Sequence, residues 1–201
     1  MDPNTVLVIY LIFFACEFIF ENGLTVLNIR HVRHRRREIP EQFSDYIDEE
    51  HYQRSVDYSL TNERFSLFSA PLHAAFIIIV VLTGFLGTVN QLLLQLNLPE
   101  NIHGILYVFS ISLLFALFSL PFSLYNQFVI EERFGFNRMS LGLFFVDLLK
   151  SLLISAIIAF PLLLGIFWLI DTAGIYWWIW AFFFLALFQL VMTVLYPLVI
   201  A

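Results

Sequence analysis

The feature that most limits how this chain can fold is a series of apolar stretches, each near or above the roughly 20 residues a helix needs to cross a bilayer core. They occupy about residues 5–28, 65–92, 102–128, 143–170 and 175–201. Of the 201 residues, 60% are hydrophobic and 13% charged, whereas an ordinary soluble domain is nearer half and a quarter. Folding hides only about 70% of the surface of a small chain, so this much apolar side chain must face lipid. The expectation is an all-α membrane protein: a single domain over 1–201, built as a bundle of about five transmembrane helices.

The opening "MDPNTVLVIYLIFFACEFIF" has an acid and no base before its apolar run. It also lacks a small-x-small cleavage site and is long enough to span, so it reads as a retained helix and not a signal peptide. Pro121 and Pro161 fall late in the third and fourth runs. Kinks are expected there, because neighbouring groups in a membrane bundle re-satisfy the backbone that proline frees. The single cysteine, Cys16, excludes an internal disulfide and a multi-cysteine metal site. A net charge of -6 argues against a nucleic-acid partner.

The connections are strongly asymmetric. The long polar loop at about 29–64 opens with Arg30, Arg33, Arg35, Arg36 and Arg37 and continues with an acidic, aromatic-rich segment. Ser44 is a plausible N-cap there, and the spacing is compatible with a short amphipathic helix. The third loop carries Arg133 and Arg138, while the second and fourth have no Lys or Arg. Under the positive-inside rule, loops one and three and the C-terminus are cytoplasmic and the N-terminus is outside. Setting topology is the simplest role for the five arginines; binding anionic membrane lipid is the alternative.

Ionisable groups at bilayer depth are costly and draw attention to themselves. Glu17 and Glu21 share one face of the first span, and Asp147 and Lys150 are three apart on the fourth, close enough to neutralise each other. His73 follows Pro71 on the second span and fits a hydrogen-bonded structural role better than a ligand's. No HExxH, GxSxG, Gly-rich phosphate loop or Cys/His cluster occurs. No catalytic residue, metal ligand or cofactor site can therefore be assigned within this chain.

One segment is more specific. "LPFSLYNQFVIEERFGFNRMSLGLFFVDLLKSLLI" contains Pro121, Phe128, Ile130, Glu131, Glu132, Phe134, Gly135, Phe136 and Asn137, then Asp147 and Lys150. It resembles the N-terminal transmembrane domain of the type I CAAX prenyl protease (Ste24-like) zinc metallopeptidases, with their F-x-I-E-E-x-F-G-F-N loop and D-x-x-K helix. "FENGLTVLNIRH" and "YSLTNERFSL" resemble the family's end of span one and start of span two, and Tyr196 and Pro197 in "YPLVIA" its exit from span five. Gly135 between two phenylalanines permits a tight turn, and Glu131 and Glu132 are expected to pair with Arg133 or Arg138.

The resemblance implies the membrane part of a zinc metalloendopeptidase, in the endoplasmic reticulum or a bacterial inner membrane. Zinc, a downstream metalloprotease domain and a peptide or protein substrate are expected of the full-length family protein. The family name implies prenylated CAAX substrates; a bacterial member would take other membrane or misfolded proteins. The 201 residues stop short of an HExxH, so they are expected to be inactive alone. Their expected roles are to scaffold the catalytic domain and to form part of an intramembrane substrate chamber. A non-enzymatic membrane scaffold or lipid-binding module is the alternative, and a small transporter using the intramembrane acids is less favoured, because no inverted repeat is present.

Overall fold

Long uncharged runs leave the backbone no water to bond with, so in lipid they form helices. In the computed structural model, which describes residues 2–35 and 48–195, they do. The order is α1 (Pro3–His34), α2 (Glu49–Leu82), α3 (Phe85–Leu94) and α4 (Glu100–Tyr125), then a π-helical turn (Asn126–Glu131). It continues with α5 (Glu132–Phe134), α6 (Leu141–Thr172), a 3₁₀ turn (Gly174–Tyr176) and α7 (Trp177–Leu195). No strand is found among the described residues. Five helical segments are long and apolar enough to cross a membrane, α4 counting together with the π turn and α5. The protein is an all-helical membrane protein.

The boundaries refine the sequence reading in three places. The first span, expected to end near residue 28, continues as helix to His34. Arg30 and Arg33 thus lie on α1 and Arg35 caps it, where cations offset the negative end of the helix dipole. Second, the short amphipathic helix expected in the first loop is, from Glu49 on, the beginning of α2 itself. Its N-cap is Asp48, whose Oδ1 accepts from the His51 N–H at 2.7 Å; Ser44 lies outside the described residues. Third, the run at about 65–92 divides. Gly84 takes the left-handed φ of 72° between α2 and α3, which glycine adopts without steric cost. Helices α2, α4 and α6 continue through Pro71, Pro121 and Pro161.

The chain forms two compact units. The first contains residues 1–86 and 115–138, the second 87–114 and 139–201. In the first, α1 packs on α2, and Asn28 donates to Glu63 at 3.0 Å. The face of α2 carrying Phe65, His73 and Phe76 meets the second half of α4 through rings. Phe76 stacks on Phe118 with centroids 3.9 Å apart, and Phe65 on Tyr125 at 5.0 Å. His73 sits against Phe118 and Phe122. Its Nδ1 donates to the Ser69 carbonyl at 2.9 Å, which leaves Nε2 to accept from Ser119 Oγ at 3.3 Å. In the second unit, α6 packs on α7 and His103 bonds Asn90 at 2.8 Å. The Gly165 backbone there lies against Phe184, so closely that an added Cβ would fall 2.6 Å from the ring.

Candidate functional site: the turn after α4

The first unit closes at a polar corner where the start of α2 meets the π turn and α5. Sixteen residues of α2, Glu49 to Arg64, precede its uncharged stretch. At about 1.5 Å per residue they carry the helix some 24 Å before the apolar part begins. Arg54, Tyr58 and Asn62 follow one another at i, i+4 spacing and so form one stripe. Each finds a partner on the facing turn. Arg54 donates to the carbonyl of Phe134, Tyr58 donates its hydroxyl to Glu131, and Asn62 accepts from Asn126 at 3.2 Å.

The turn itself ends in a Schellman arrangement. Gly135 has φ 74° and ψ 20°, and its N–H reaches the Glu132 carbonyl at 3.0 Å. The Phe136 N–H reaches back to Glu131 at 2.9 Å, so two carbonyls that the helix end would orphan are satisfied. A Cβ at residue 135 would meet Arg54 Nη2 at 3.1 Å. The conformation and the crowding both favour glycine here, as the tight-turn reading anticipated.

Packing fixes the corner as firmly as its hydrogen bonds. Tyr58 presents its ring between Phe134 at 5.3 Å and Phe136 at 4.9 Å, both edge-on. Val56, Leu60, Ile130 and Phe134 are buried around it. Asn137 is held twice: Gln127 donates to its Oδ1 at 2.9 Å, and its Nδ2 donates to Glu132 at 2.8 Å. The ion pairs expected of Glu131 and Glu132 with Arg133 or Arg138 do not form among the described residues. Tyr58 and Asn137 occupy the two carboxylates, and Arg133 lies 5.8 Å from the Phe134 ring.

The structure thus brings Glu131, Glu132, Phe134, Gly135, Phe136 and Asn137 together. Asp147 and Lys150 belong to the second unit, as an exposed i, i+3 pair 3.5 Å apart on α6. Glu17 and Glu21 are exposed on α1, and His73 is absorbed into the aromatic seam between α2 and α4. Arg36, Arg37, Tyr196 and Pro197 lie outside the described residues. The sequence did not single out Arg54 or Asn62. The i, i+4 stripe they make with Tyr58 was the available signal, but nothing local says what the stripe faces.

No three His, Cys, Asp or Glu side chains converge on a common point among the described residues. The groups present among the described residues do not fit a zinc site. The corner can hold a turn in one geometry and present it; it has no nucleophile paired with a base.

Comparison with known proteins identifies what such a corner belongs to. The chain is 28% identical to the CAAX prenyl protease 1 homolog of Caenorhabditis elegans, a match that covers 81% of this chain and 36% of that protein. It is 30% identical to the Oryza sativa homolog, over 95% of this chain and 46% of the relative. The crystal structure of S. mikatae Ste24p superposes with a TM-score of 0.84 at 26% identity, covering 94% of this chain and 45% of that one. The chain therefore spans less than half the length of each. Residues 28–201 match the family profile described as CAAX prenyl protease N-terminal, five membrane helices, and to that family the chain belongs.

Proposed function

We propose that this chain is the membrane half of a zinc metalloendopeptidase of the CAAX protease type, inactive by itself. Its helices scaffold a catalytic half and enclose part of an intramembrane space for a peptide or protein substrate. In this reading the catalytic half brings the zinc ligands and the water-activating Glu of an HExxH helix. The corner at Glu131–Asn137 is the docking surface for that half. Prenylated CAAX-type proteins are the substrate class suggested by the relatives' names. Orientation follows the arginines: α1 begins outside, and the corner, with the ends of α1 and α4 beside it, lies in the cytoplasm. The membrane is that of the endoplasmic reticulum or a bacterial cell.

The observation that carries this reading is the match of residues 28–201 to the N-terminal family profile, in a chain aligned to only 36–46% of the relatives compared above. The ordered turn supports the docking role, since two hydrogen-bonded asparagines and a capped glycine leave one shape to recognise. The test is the coding sequence that follows Ala201. An HExxH within about a hundred residues is expected, and changing its Glu to Gln should abolish cleavage of a prenylated peptide while leaving membrane insertion intact. A downstream sequence without that motif overturns the proposal.

A further inference from the structure

Beside the corner, within the first unit, lies a feature that the protease reading does not use. A cavity of about 660 Å³ opens between α2 and the end of α4. Its walls are aromatic and apolar, with Phe65 and Phe68 from α2 and Phe122 and Tyr125 from α4. The same cavity is lined by two arginines, Arg64 from α2 and Arg133 from α5. A second, polar cavity of about 300 Å³ shares both arginines and adds Arg33 from α1 and Asp57. Three arginines from three helices thus line this space, and among the described residues Asp57 is the one carboxylate in its wall. Neither Arg64 nor Arg133 makes an ion pair among the described residues.

The sequence puts this constellation at a membrane boundary. Arg64 is the last charged residue before a run without Asp, Glu, Lys or Arg that continues to Glu100. Arg133 follows the uncharged run between Glu100 and Glu131. Thr61, Arg64, Phe65 and Phe68 recur at i, i+3, i+4 and i+7, so the groove follows one face of α2 for about 10 Å, some 6 Å of it beyond Arg64 into the apolar zone. Phe68 and Tyr125 are 62% and 48% exposed, so the aromatic floor is open on its outer side. An occupant needs an anionic head the size of a phosphate and an apolar tail that leaves it along the helix.

We propose that this groove binds one anionic phospholipid of the surrounding bilayer, its phosphate held by Arg64 and Arg133 with Arg33 behind them, and an acyl chain laid over Phe65, Phe68, Phe122 and Tyr125. Planar guanidinium forks suit phosphate oxygens, and juxtamembrane arginines add attraction to anionic lipid. The site takes only Arg33 from the arginine run at the end of α1 and differs from that run in requiring Arg64 and Arg133, which lie 31 and 100 residues beyond it.

Native mass spectrometry of the purified full-length protein with phosphatidylserine and phosphatidylcholine of identical chains tests this. A preference for the anionic lipid on the order of tenfold is expected. The double variant Arg64→Gln/Arg133→Gln should lose that preference, while Arg30→Gln/Arg35→Gln should keep it. Equal binding of the two lipids, or equal loss in both variants, overturns the site in favour of none or of a diffuse basic belt. Competition by inorganic phosphate as effective as that by the lipid would overturn the role of the groove. A measurement on the unmodified protein guards against misfolded variants: phosphatidylserine with a tail diazirine should label peptides containing Phe65–Phe68 and Phe122–Tyr125. Labelling confined to other helices overturns the proposal.

Discussion

The polar corner and the helix α6 show what two solvents ask of one chain. At the corner, Val56, Leu60, Ile130 and Phe134 are buried, and Arg54, Tyr58 and Glu131 beside them are hydrogen-bonded. Helix α6 has 32 residues and buries none of them. A segment outside the hydrocarbon must hide its apolar groups and satisfy its polar ones, as any soluble protein does. A segment inside it can leave leucine and phenylalanine on the surface at no cost, since lipid tails are as apolar as they are. Among the described residues of the first unit, four of the five buried hydrophobic side chains accordingly lie at this corner.

That contrast can be broken most directly at Phe134. Truncation to alanine should cost about 3–5 kcal/mol of stability in detergent, as for other buried aromatics. Phe183→Ala on α7, at a residue 60% exposed, should stay within about 0.5 kcal/mol. Thermal unfolding followed by near-ultraviolet circular dichroism compares the two, and equal losses would remove the distinction between the regions. Next in size is Tyr58→Phe, which deletes the hydroxyl bonded to Glu131. About 1–2 kcal/mol is expected at this half-buried site. Adding Glu131→Gln should then cost less than it does alone, a coupling that a double-mutant cycle measures.

Gly135→Ala should follow at roughly 1–2 kcal/mol, the cost of a left-handed backbone carrying a side chain. A greater susceptibility to proteolysis between Phe134 and Arg138 would locate the damage. The smallest effect belongs to Asp48. The backbone N–H of His51, and then its ring, hold this carboxyl below its ordinary value of 3.8. A depressed pKa means that the cap is fully present above that value and is lost as pH falls through the lower, folded one. Protection of the amides in the first turn of α2, taken as exchange relative to the intrinsic rate at each pH, should therefore be constant from neutral pH down to about 4 and fall below it. In Asp48→Ala that protection should be low at every pH, with protection on α6 unchanged.

Parts of this were legible in the residues. The family resemblance carried by Glu131 to Asn137 marked the turn, and Gly135 between two phenylalanines marked its geometry. The partners of the two glutamates were not legible. Arg133 and Arg138 are neighbours in the chain and look suitable, yet Tyr58 and Asn137 take those carboxylates. A tyrosine 73 positions away is invisible to local reasoning, because its reach depends on how α2 lies against α4. His73 shows the same limit from the other side. Its setting among Phe118, Phe122 and Ser119 is made wholly by a second helix.

The sequence by itself determined that the chain lives in a membrane, how many helices cross it, and where its arginines gather. Each of these follows from runs of uncharged residues, which need only one-dimensional counting. Which face of each helix turns inward was decided by the tertiary structure alone. In water, a stripe of apolar residues points to the core. In lipid, every side of a helix such as α6 is apolar, so composition carries no such pointer. Only the packing of α2 on α4 and the turn that follows it brings Arg54 to Phe134 and Tyr58 to Glu131, and puts Arg64 and Arg133 in the wall of one aromatic groove.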